Sequence, residues 1–159
     1  NASGTMDRII NSIVNSKLAK TPAGAEVCIA IGMMLSSLSL GSANGPAIIM
    51  FGPIGNKVGQ AVNLHPYRRA NLMDGFASTL PVITPFISSF IFIVVIVIQG
   101  LQAEYSFIQT ISPITIALST FHCMALFAVF AFSVATGWGR IFEGPNGEVV
   151  RQPSKQTKI

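Results

Sequence analysis

The sequence predicts an all-α, polytopic membrane helical bundle whose transmembrane helices are broken, and three observations carry that reading. Half of the 159 residues are hydrophobic and only 10% are charged, with a positive mean hydropathy, a balance that suits lipid contact rather than a soluble domain. Between Ala70 and Gly139 there is no Lys or Arg, and the only acids are Asp74 and Glu104. Within that stretch Pro81 and Pro85 sit among small hydroxyl residues, directly ahead of an apolar run over residues 90–98. A proline donates no backbone hydrogen bond and disrupts the turn before it. In a bilayer such irregular backbone survives only when it is buried in protein or lines a wet cavity. Broken helices that carry hydroxyls and a carboxylate are how secondary transporters hold ions.

Residues 6–19 place Met6, Ile9, Ile10, Ile13, Val14 and Leu18 on one helical face, opposite Asp7, Arg8, Asn11, Ser12 and Asn15. The 3.6-residue period predicts an amphipathic helix. It reads either as an interfacial helix or as the second half of a broken span, with residues 1–5 as the unwound break. The chain starts with Asn and shows no signal peptide, so it is read as beginning inside a longer protein.

Thr21-Pro22 is a helix-start pair, N-cap then first helical position. The segment it opens runs to Leu40 and is apolar apart from Glu26 and a few serines. At ~1.5 Å per residue, residues 23–40 cover roughly the ~30 Å hydrocarbon core. Two glycines and a proline interrupt residues 41–46, and an apolar limb resumes over 47–62, where Gly52, Gly55 and Gly59 suit close helix approach. These limbs form a hairpin that either spans twice or re-enters, with its tip at Ser42–Asn44 in mid-membrane. A polar loop with His65 and Pro66 leads to the broken span at 69–100. A last segment covers 108–135, where Ser112-Pro113 is either a kink or a helix start. Residues 1–137 are thus expected to form a transmembrane transport domain and 138–159 a polar cytoplasmic tail without fixed structure.

Charge agrees with four crossings. Lys17 and Lys20, then Lys57, Arg68 and Arg69, then Arg140, Arg151, Lys155 and Lys158 all fall on one side, and the turns at 42–45 and 101–106 contain no Lys or Arg. By the positive-inside rule that side is cytoplasmic, which places the protein in the cell membrane as a multi-pass chain. No basic stripe with interleaved aromatics exists for nucleic acid. Cys28 and Cys123 lack ligand or redox spacing and read as packing residues, and His122 reads as packed or pore-lining. Residues 52–57 do not have Walker A spacing. No Gly-x-Ser-x-Gly elbow, His-Glu-x-x-His or paired aspartates occur, so an enzyme is not expected and no cofactor is called for.

Asp74 is the leading candidate, because an ionisable group in a membrane segment is a functional hypothesis by default. Its alternative is a salt bridge with Arg68 or Arg69, and both readings stand. Ser78, Thr79 and Thr84 lie at or between the breaks, where hydroxyls and freed carbonyls supply the hard oxygens Na⁺ needs. Back-bonding to the helix is the competing account. Ser42 and Asn44 flank the other break and read either as ion-facing groups or as a surface turn.

Residues 65–74, His-Pro-Tyr-Arg-Arg-Ala-Asn-Leu-Met-Asp, with Leu80-Pro81, Thr84-Pro85-Phe86, Tyr105 and Ile111-Ser112-Pro113-Ile114, resemble the C-terminal half of Na⁺/H⁺ antiporters of the NhaC type, in the ion transporter superfamily. The resemblance covers residues 23–132, and its specificity lies in the order and spacing of short motifs. Phe86 stands where the family's pattern carries Trp, and no second acid accompanies Asp74. The resemblance implies inverted repeats, broken helices meeting near the membrane centre, and exchange of transported Na⁺ for H⁺ by alternating access. It adds Asn71 to the site beside Asp74, Ser78, Thr79 and Thr84, with Ser42 and Asn44 facing them, and makes Asp74 and Thr84 the expected Na⁺ ligands. The implied partners are the lipid bilayer, the N-terminal half of the same transporter and a small ion or solute, with a homodimer left open. Symport of a small organic anion or amino acid, through Arg68 or Arg69, is the alternative, and a non-transporting membrane subunit is the third.

Overall fold

The computed structural model describes Ser16 and residues 19–152. The helix expected over residues 6–19 lies outside the described residues apart from Ser16 and Ala19, as do the break expected over 1–5 and the end of the tail.

The described chain is mostly helical, as its composition predicts. Helix α1 (Pro22–Ser39) opens where the sequence places its cap, with the Thr21 hydroxyl accepting from the Gly24 N–H at 3.1 Å and Pro22 at the first turn. Helix α2 (Asn44–Gln60) starts three residues earlier than the expected limb. Gly45 and Pro46, read as breakers, lie in its first turn, where backbone N–H groups have no intrahelical partner and a proline loses nothing. Helix α3 (Pro66–Ala77) has His65 as its N-cap, whose Nδ1 accepts from the Tyr67 N–H at 3.2 Å, so the loop reading of His65-Pro66 is corrected to a helix start.

The expected broken span is interrupted over more than ten residues. After α3 comes a single turn, α4 (Leu80–Ile83), then non-helical backbone in which Phe86 takes φ 67°, then α5 (Ser89–Glu104). Pro81 starts the short turn, and Pro85 stands in the gap that follows. Ser112 caps α6 (Pro113–Ser119) by accepting from the Ile114 N–H at 3.3 Å, which settles Ser112-Pro113 as a helix start. The bend falls later: α6 and α7 (Phe121–Thr136) meet at 54° across Thr120. The Ser119 and Thr120 hydroxyls donate to the Thr115 and Ile116 carbonyls, each at 2.8 Å, the back-bonding that bends helices.

Gly137 ends α7 with φ 77°, a left-handed cap that glycine adopts without a Cβ penalty. Beyond it the expected unstructured tail is ordered through residue 150. Strands β1 (Phe142–Glu143) and β2 (Val149–Val150) pair antiparallel. The hairpin is tied back to the α2–α3 connection, because the His65 N–H donates to the Ile141 carbonyl at 3.0 Å and the Glu143 N–H to the Asn63 carbonyl at 2.8 Å. Phe142 is buried there and bridges to Leu64.

The core lies between α1, α2, α3 and α7, around Ile29, Met33, Val58, Leu72 and Phe76. Phe76 packs edge-on against Phe127 and, tilted, against Phe130, with centroids 6.2 and 5.6 Å apart. Helices α5 and α6 form an outer pair that buries little: Ile91 alone is buried in α5, and Ala117 alone in α6. Phe90, Ile93, Ile96, Leu118 and Phe121 stand outward and exposed. Among the described residues, α1 alone is long and apolar enough to cross a membrane, and α6 with α7 makes a second span if the bent pair counts as one.

Candidate functional site

Two groups of polar residues stand out: a junction where the helix breaks meet, and a buried charge cluster at the basic end of the helices.

At the junction, Gly41 and Ser42 both adopt positive φ, 65° and 66°, which turns the chain sharply between α1 and α2. The Ser42 hydroxyl donates to the Pro81 carbonyl, and the Asn44 side-chain amide donates to the Ser78 hydroxyl at 2.8 Å. Ser89 donates to the Gly41 carbonyl through its hydroxyl at 2.7 Å and its N–H at 3.1 Å. Ser37 reaches the Ala77 carbonyl at 3.4 Å. The α1–α2 turn is therefore bonded to the whole interruption between α3 and α5. Two buried oxygens, Asn44 Oδ1 and Ser88 Oγ, have no hydrogen-bond partner among the described residues. An unmade bond on a buried polar group costs about 1–3 kcal/mol.

Among the expected site residues, Ser42, Asn44 and Ser78 come together at this junction. Thr79 is buried, and its hydroxyl donates to the Phe76 carbonyl at 2.9 Å; Thr84 donates to the Leu80 carbonyl at 2.8 Å. Both hydroxyls back-bond to the preceding turn, the competing account for these residues. Asp74 is exposed on α3; its backbone carbonyl accepts from the Ser78 N–H at 3.1 Å, and its carboxylate forms no ion pair among the described residues. Asn71 is exposed one turn earlier and borders a different cavity, beside Arg68. The described residues hold no group of three His, Cys, Asp or Glu able to bind a metal ion. Cys28 and Cys123 are free thiols, and His122 is exposed.

The salt-bridge reading of Asp74 is corrected by the second group. Glu26, fully buried in α1, accepts from Arg68 Nε on Oε1 at 2.7 Å and from Arg140 Nη2 on Oε2 at 2.8 Å. Arg69 instead donates to the Asn56 carbonyl at 3.1 Å and to Glu143 at 3.4 Å. Three guanidinium groups thus share two carboxylates, and Arg68 Nη2, Arg69 Nε and Arg140 Nε remain buried without partners among the described residues. Sequence reading passed over Glu26 as a minor interruption of an apolar helix. The argument that singled out Asp74 applies to it equally, since both are carboxylates in otherwise apolar segments.

Arg68 lines a cavity of about 270 Å³ with Asn71, Val129, Phe130, Ser133, Trp138 and Gly139. A second cavity of about 430 Å³, lined by Arg140 and Arg151, shares Trp138 and Gly139 as its wall. Ser133 fixes that wall by donating to the Trp138 carbonyl at 2.6 Å. Comparison with protein-family models, with curated proteins and with solved structures finds no match to this chain.

Proposed function

We propose that this chain is the ion-binding part of a secondary active membrane transporter that exchanges Na⁺ for protons by alternating access. The observation that carries the reading is the junction of the two breaks, where the Ser42 and Asn44 side chains bond to Pro81 and Ser78 in the interruption between α3 and α5 and where Asn44 and Ser88 each bear a buried oxygen with no partner among the described residues. Hard oxygen donors on unwound helices are the chemistry that binds Na⁺ in such proteins. The outward apolar faces of α5 and α6 support a lipid or protein covering, and the segregation of Lys and Arg supports a cytoplasmic tail. Residues 65–74, similar to the NhaC-type stretch, agree in kind. Asp74, exposed on the adjoining helix, is assigned the proton.

A symporter for a small organic anion or amino acid is the second reading, favoured by the unpartnered guanidinium nitrogens of Arg68 and Arg140.

Everted vesicles containing the full-length protein test the choice with a fluorescent reporter of the proton gradient. Na⁺-evoked proton movement that weakens in Asn44→Ala supports antiport at the junction. Uptake of a labelled carboxylate or amino acid without Na⁺-evoked proton movement replaces it with symport.

A further inference from the structure

We infer that the cavity beneath Trp138 is an oxyanion site, built to hold a phosphate group against the free edge of Arg68. Glu26 takes the Nε side of this guanidinium at 2.7 Å, which fixes its plane. Its Nη2 is buried and unpartnered among the described residues, and Arg68 is only 5% exposed. A planar guanidinium held from one side presents its remaining N–H donors in the geometry that matches two oxygens of a phosphate.

The surroundings agree with an anion. Gly139 takes φ 71°, which favours glycine, and carries the chain past Arg68, where a Cβ would stand 3.8 Å from Nη1 in ordinary contact. Asn71 offers an amide at the rim. Arg140 and Arg151 line the adjoining cavity across the Trp138–Gly139 wall, and the cluster of three arginines on two glutamates keeps one positive charge over. At about 270 Å³ the space holds a phosphate with room left for whatever the phosphate is attached to. Phosphate could arrive as the free ion or as the headgroup of an anionic lipid, since basic pockets at the cytoplasmic ends of membrane helices take such headgroups and an exposed Trp138 suits the interface. Only the lipid source rests on the membrane reading above.

The test is the thermal unfolding midpoint of the purified full-length protein. In detergent, inorganic phosphate is titrated against chloride at matched ionic strength. In nanodiscs, phosphatidylcholine alone is compared with its mixture with phosphatidylglycerol. A saturable rise with phosphate assigns a free oxyanion, and a rise with phosphatidylglycerol alone assigns the lipid. Arg68→Lys keeps a cation beside Glu26 but loses the second donor edge, and should weaken the apparent affinity about tenfold, the loss of one charge-assisted contact. Val129→Trp fills the cavity without touching a charge and should abolish the effect, which keeps the test decisive if Arg68→Lys does not fold. No rise in either setting, or an equal rise in Val129→Trp, overturns the site. Na⁺-evoked proton movement measured on the same preparations reports separately on the transport reading.

Discussion

Glu26 and Arg68 lie 42 positions apart and form a buried ion pair at 2.7 Å. The same carboxylate holds Arg140, 114 positions away, at 2.8 Å. One side chain near the start of α1 therefore fixes both the first turn of α3 and the chain beyond α7. A buried pair adds little over a well-packed apolar core, but removing one member leaves an uncompensated charge. Here the loss would strand two guanidinium groups at once.

Glu26→Gln should accordingly destabilise the protein by roughly 3–5 kcal/mol, read as a fall in the unfolding midpoint of purified protein. Adding Arg68→Gln should recover part of that loss, because it removes one stranded cation. Glu143→Gln supplies the contrast. Its carboxylate is 39% exposed and 3.4 Å from the buried Arg69, so its loss should cost less than that of the fully buried Glu26, which holds two arginines at shorter range. Equal losses from Glu26→Gln and Glu143→Gln would remove Glu26 as the organising group.

The packing of α3 on α7 is testable at Gly75. A Cβ built there would overlap the ring of Phe130, which also packs against Phe76. Gly75→Ala should cost about 1–3 kcal/mol, the usual range for overpacking, against the gain in helix propensity that alanine brings elsewhere. Pairing it with Phe130→Leu should reduce the loss. A stabilised Gly75→Ala variant would mean that the two helices do not approach this closely.

How much of this was legible in the sequence follows from the range of each signal. The Thr21-Pro22 cap and the interruptions around Gly41 and Pro81 are local, because glycine, proline and short hydroxyl residues act on their own turns. Position within a turn decided the rest. Pro46, Pro66 and Pro113 all sit in first turns, where proline starts a helix as readily as it ends one. The bend at Thr120 has neither glycine nor proline to announce it. The pairing of Glu26 with Arg68 and Arg140, and of Arg69 with Glu143, joins residues that no window on the chain contains. Asp74 was therefore matched with its sequence neighbours Arg68 and Arg69, whose partners lie on other elements.

At the junction, Asn44→Ala removes the amide that bonds Ser78 and the unpartnered Oδ1 together. The lost hydrogen bond is worth about 0.5–1.5 kcal/mol, offset in part because the orphan oxygen leaves with it. The expected outcome is a small change in stability with a clear rise in the Na⁺ concentration needed for half-maximal proton movement. Ser78→Ala should do the same more weakly, since Asn44 keeps its own oxygen. If both variants transport with unchanged Na⁺ dependence, the junction is a structural stitch and not a binding site.

Asp74 separates function from structure more sharply than any other residue here. It is exposed and without an ion pair among the described residues, so replacing it should not strand a cation. Asp74→Asn keeps the shape and loses the titration. Its effect on stability should stay within about 0.5 kcal/mol, as for surface positions generally, while Na⁺-evoked proton movement in vesicles should disappear if this carboxylate carries the exchanged proton. A structural carboxylate would give the opposite pair of results, a lowered unfolding midpoint with exchange retained in whatever protein folds. Both measurements therefore belong on one preparation. Normal exchange by Asp74→Asn would transfer the proton to another carboxylate. Glu26, buried between Arg68 and Arg140, is the next to test, with its own stability loss already setting the background against which transport must be judged.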